Sequence, residues 1–116
     1  MPSRWSTRPK RATVPNAASR LGNFLVGVNV RRSALRVFGE DHVTWYRSSE
    51  KVERGFCAVC GSTLFFKPTM AGYQWTSVML GCLDTDRPFK IARHTFVADK
   101  GYYYEITDGA PQSDAL

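Results

Sequence analysis

Cys57 and Cys60 frame the chemistry this chain can offer. They sit in the run Cys57-Ala58-Val59-Cys60-Gly61-Ser62, on a tight turn between two apolar stretches. Two thiolates at this spacing can grip one edge of a tetrahedral metal ion, each sulfur about 2.3 Å from a shared zinc. Glycine after the second cysteine lets the backbone fold so that its amides face the sulfurs. Two other readings stand beside the metal. A Cys-x-x-Cys pair can be a redox dithiol, but such a pair usually opens a helix in an α/β domain, and here a strand follows. The two thiols can also be buried without any metal.

A tetrahedral site needs four ligands, and few donors remain. The only other cysteine is Cys82, and the only histidines are His42 and His94. Cys82 follows Gly81 at a strand end and reads as a small buried hydrophobe. His42 lies in a turn and is expected to be exposed. His94 sits between Arg93 and Thr95 and reads as a hydrogen-bonded residue able to face a pocket. Arg47 with the Ser48-Ser49 pair could bind an anion, although a solvated turn is the commoner meaning of such a cluster.

The elements that must position these groups read as strands. Phe24, Val26, Val28 and Val30 alternate with Asn23, Leu25, Gly27 and Asn29, the period of a half-buried strand. Residues 34–38, 43–46, 63–66, 74–80, 89–97 and 102–106 complete an expected set of seven short strands. No helical period persists over a full window, which predicts an all-β domain. Residues 1–21 are rich in Arg, Ser, Pro, Thr and Ala and are expected to form a basic, loosely packed leader. Residues 22–112 form the expected domain, and residues 113–116 a frayed end.

Size and charge narrow the function classes. One domain of 116 residues with 43% hydrophobic and 13% aromatic residues can build a globular core. The net charge is +6, but residues 1–20 carry five basic residues and no acid, leaving +1 on the remaining 96. A basic tail is weaker support for nucleic-acid binding than a basic face, so that partner is not expected. No stretch approaches the roughly 20 apolar residues of a membrane helix, and no apolar segment follows the basic start as in a signal peptide. An odd cysteine count speaks against a disulfide framework and for a reducing compartment. The expectation is a soluble cytoplasmic protein.

The run from Val43-Thr44-Trp45-Tyr46-Arg47-Ser48-Ser49 through Arg54-Gly55-Phe56-Cys57-Ala58-Val59-Cys60-Gly61-Ser62 to Phe66 resembles the glutathione-dependent formaldehyde-activating enzyme family, also called centromere-protein-V-like. Gly81-Cys82-Leu83-Asp84, the segment Arg93 to Lys100, and Tyr103-Tyr104-Glu105-Ile106 are similar to its later motifs, in the same order. The resemblance implies a zinc-stapled complex β fold of two small antiparallel sheets. It also implies carbon–sulfur lyase chemistry on glutathione–formaldehyde adducts of the S-hydroxymethylglutathione type. Cys57 and Cys60 would then be ligands of a structural zinc, with a small thiol such as glutathione as partner and His94, Arg47 and Ser48 near its pocket.

The resemblance also exposes a deficit. The family completes the structural zinc with an upstream Cys-x-Cys pair, and holds a catalytic zinc with a Cys-His-Cys-x-x-Cys segment before the first strand. Counting back from Gly22-Asn23-Phe24, that segment falls on Ala12 to Ala17, where no cysteine occurs. The upstream pair has no counterpart. The compositional shift near residue 20 suits a truncated or frame-shifted gene start. A zinc-binding domain without catalysis, binding a ligand or a protein, is the alternative reading.

Overall fold

A computed structural model describes residues 24–115. They divide into two units: residues 26–84 form one, and the segments on either side of it form the other. The leader expected over residues 1–21 lies outside the described residues.

The first unit is one antiparallel sheet of five strands: β1 Gly27–Arg31, β2 Val43–Ser49, β3 Val52–Cys57, β4 Thr63–Pro68 and β5 Trp75–Met79. Their spatial order is β1-β5-β4-β3-β2, so β2 to β5 form a meander and β1 pairs with its last strand. All helical elements among the described residues are single 3-10 turns, and none is long or apolar enough to cross a membrane. The all-β reading therefore holds. The expected two sheets are not seen: the strands of the described residues form one sheet, and residues 94 and 112 meet only in an isolated parallel bridge.

A concentration of aromatic and β-branched residues explains β2, β4 and β5. Register places Trp45, Gly55, Phe65, Val78 and Val28 in one row across all five strands. Gly55 has no side chain, so Trp45 and Phe65 stack over it, their ring centroids 5.6 Å apart at 18°. Lys67 Nζ sits 5.0 Å from the Trp45 ring. The core centres on Val52, Phe65, Phe66 and Met79, all buried. Arg32 follows β1 and fastens its end to β4, β5 and the loop between them. Its Nε donates to Thr76 Oγ1 at 3.0 Å, its Nη1 to the Tyr73 carbonyl at 3.1 Å, and its Nη2 to the Pro68 carbonyl.

Three expected strands do not form. Over residues 34–38 the chain turns at Arg32–Ala34 instead, and Phe38 is left 92% exposed. Residues 89–97 contribute only the bridge at His94, because Phe96 takes φ 55°, a left-handed conformation that no strand continues through. At residues 102–106 the chain turns, with Tyr102 95% exposed. Conversely, β3 is a strand that the alternation did not announce, since Arg54 occupies one of its buried positions. Its Nε donates to Ser48 Oγ at 3.2 Å and its guanidinium lies over Phe66 at 5.1 Å.

Candidate metal centre

The β3–β4 connection carries the cysteines. Strand pairing ends at Phe56 and Thr63, and the chain between them closes on itself. Cys57 N–H donates to the Ser62 carbonyl and Gly61 N–H to the Cys57 carbonyl, each at 2.8 Å. Gly61 takes φ 79°, which only glycine adopts without strain. The turn is anchored from outside by Ala58 N–H, which donates to the His42 carbonyl at 2.8 Å.

Each sulfur has a hydrogen-bonding partner in the same turn. Val59 N–H points at Cys57 Sγ over 3.4 Å, and Ser62 Oγ lies 3.1 Å from Cys60 Sγ. The Ser62 hydroxyl, then its backbone amide, then the Cys57 thiol hold the Cys60 thiol below the ordinary range. Cys60 is exposed and Cys57 half-buried. An exposed thiol that ionises readily beside a second thiol is a metal-ligand pair in form. It supplies one edge of a tetrahedron.

The remaining candidates lie elsewhere. The Cys82 thiol donates to the Thr63 carbonyl at 3.2 Å and is exposed. His42 is exposed, with Nε2 3.7 Å from Asp41 Oδ2. Among the described residues no three His, Cys, Asp or Glu side chains gather as a metal-holding group. Residues 1–23 and Leu116 contain none of these four types. The residues present thus fit half of a zinc site.

Arg47 and Ser48 are adjacent, yet each is committed to its own partners. Arg47 Nη2 pairs with Glu53 Oε2 at 3.0 Å, and Nη1 donates to the Glu50 carbonyl at 3.1 Å. Ser48 is buried at the bulge of β2, its Oγ donating to the Val52 carbonyl over 3.4 Å and accepting from Arg54. In the other unit, His94 Nε2 donates to Asp108 Oδ2 at 2.9 Å. His94 N–H donates to the Pro111 carbonyl, and its own carbonyl accepts from Ser113 N–H. Ser62 as the partner of Cys60 escaped the sequence reading. Its place two residues after the second cysteine was the available signal.

One pH dependence follows from this second unit. Asp108 accepts from Ala110 N–H and from His94, which holds its carboxyl below the ordinary 3.8. A depressed folded-state pKa contributes stability above the unfolded value and loses it as pH falls through the folded one. Thermal melts from pH 5 downward are expected to show an acid loss that Asp108→Asn reduces. Superimposable pH profiles for the two proteins would refute that role.

A family model described as glutathione-dependent formaldehyde-activating enzyme matches residues 18–99. Neither the curated proteins nor the solved structures gave a match.

Proposed function

The chain belongs to the glutathione-dependent formaldehyde-activating enzyme family, and on that premise we propose that it is a zinc-binding domain on the scaffold of a carbon–sulfur lyase. It takes glutathione-type thiol adducts such as S-hydroxymethylglutathione as ligands without turning them over. One observation carries this reading: Cys57 and Cys60 form the chain's only Cys-x-x-Cys pair, and positions 12–17 hold none of the thiols that the family pattern places there. When bound, a catalytic zinc supplies Lewis-acid and thiol-activating chemistry. This chain offers no donor set for such an ion beyond its single pair, so no step is assigned to it. Zinc held by Cys57 and Cys60 is structural in this proposal. Arg47 on β2, paired with Glu53, is the proposed contact for a carboxylate of the adduct, to be judged by its own substitution.

Working lyase activity is the second reading, favoured by the length of the family match. NMR exchange spectroscopy separates the two by following formaldehyde and its glutathione adduct with and without the protein. Exchange at the spontaneous rate, with adduct signals broadened by binding, is the expected outcome. Faster exchange that survives extensive purification would establish turnover and remove the proposal.

A further inference from the structure

We propose that Cys57 and Cys60 form a reversible dithiol–disulfide site that exchanges with small-molecule disulfides. The proposal uses the same two sulfurs as the zinc reading but does not depend on it, because a disulfide needs no further ligand. The turn supplies the distance. Gly61 N–H donates to the Cys57 carbonyl at 2.8 Å, so the chain from Cys57 to Gly61 closes a turn of helical size. In such a turn α-carbons three residues apart stand about 5 Å from each other, inside the roughly 4.4–6.8 Å that a disulfide spans. Both cysteines are free thiols, and their side chains interact.

Exposure sets the order of attack. Cys60 is exposed and Cys57 half-buried. Next to Cys60, Val59 is 77% exposed, and no atom lies within 4 Å of where a Cβ of Gly61 would stand. A small disulfide R–S–S–R can therefore reach Cys60 Sγ, with the Ser62 hydroxyl 3.1 Å from that sulfur. The Cys60 thiolate bonds to one sulfur of the reagent, the S–S bond of the reagent breaks, and the departing R–S⁻ takes up the proton that Cys60 gave away. Cys57 then attacks Cys60 Sγ, and the second R–S⁻ leaves with the Cys57 proton. Two protein thiols have lost two electrons and two protons, and one small disulfide has become two thiols. The loop so closed is short and constrains the unfolded chain little, and an exposed disulfide is readily reduced again. A disulfide has no thiolate to offer a metal, so exchange and zinc ligation exclude each other at this turn. Cys82, whose thiol donates to the Thr63 carbonyl at 3.2 Å, takes no part.

The full chain, freshly reduced, is to be equilibrated with glutathione and glutathione disulfide in stepped ratios, with and without a chelator, then alkylated and weighed by mass spectrometry. The expected product has lost two hydrogens, carries its bond between Cys57 and Cys60, keeps the circular dichroism of the reduced chain and is restored by excess glutathione. Cys57→Ser is expected to stop at a mixed disulfide on Cys60, gaining the mass of one glutathionyl group. Cys82→Ser is expected to behave as wild type. A pair that stays reduced at every ratio in both arms overturns the exchange site while leaving zinc ligation intact. Separate glutathionyl adducts on both cysteines, a bond that includes Cys82, or loss of the strand signal on oxidation also overturns it. Zinc measured in the same samples separates the two readings. Metal released in step with bond formation supports both, and a bond formed in a chain that never held zinc supports exchange while removing the ligand reading.

Discussion

Cys57→Ser is expected to lower the melting temperature by on the order of 15 °C and to abolish zinc binding in the same step. Structural zinc contributes on the order of 10 kcal/mol to small domains. If the two-thiolate site supplies about a third of that and the substitution removes all of it, the loss is about 3 kcal/mol, and each kcal/mol moves the midpoint of a domain this size by about 4–8 °C. Local hydrogen bonds alone predict far less. The Val59 N–H contact to Cys57 Sγ is a weak bond to sulfur at 3.4 Å, and serine would replace part of it. The magnitude therefore separates a metal site from a merely hydrogen-bonded turn. The control is wild-type protein melted with and without a strong chelator. If chelation leaves its midpoint unchanged, the thiols bind nothing and the substitution has only its local cost.

The turn around these thiols was legible in the sequence because its parts are fixed by chemistry. Two cysteines at this spacing, followed by glycine at a position requiring positive φ, leave little conformational choice, and the structure places Gly61 at φ 79°. Strands β2, β4 and β5 were legible because aromatic and β-branched residues are concentrated there. Strand β3 was not. Arg54 stands where an apolar residue signals burial, and its place is made acceptable by Ser48 and Phe66, residues from the two neighbouring strands. Residues 89–97 show the opposite failure. Their alternation is as good as that of β1, but a strand also needs a neighbour to take its N–H and C=O groups. His94 alone forms a bridge, opposite Gln112 through bonds to Pro111 and Ser113, Val97 N–H adds one bond to the Ser113 carbonyl, and the left-handed turn at Phe96 ends the run. Local pattern reports which face could be buried; pairing decides whether it is.

Pairing also makes Gly55→Ala the most informative substitution in the sheet. Gly55 is not among the positive-φ residues, so alanine fits its backbone, and removing the entropy cost of a strand glycine would by itself stabilise by about 0.5–1 kcal/mol. Packing opposes this. A Cβ there would stand 3.0 Å from Phe65 Cδ2, 3.0 Å from Trp45 Cζ3 and 3.1 Å from Trp45 Cη2. These are ring carbons of a stacked pair, and Phe65 is buried and cannot swing clear. Overpacking of this kind costs about 1–3 kcal/mol, which exceeds the backbone gain. A net loss of about 1–2 kcal/mol is expected, a fall of roughly 5–15 °C in melting temperature. Trp45 is the partner with room to yield, since it is 40% exposed. Trp45→Leu should therefore absorb the added methyl, and the double variant should be more stable than the two single costs added together predict. Strict additivity, or a Gly55→Ala protein as stable as wild type, would mean that Trp45 does not stack over this glycine in solution.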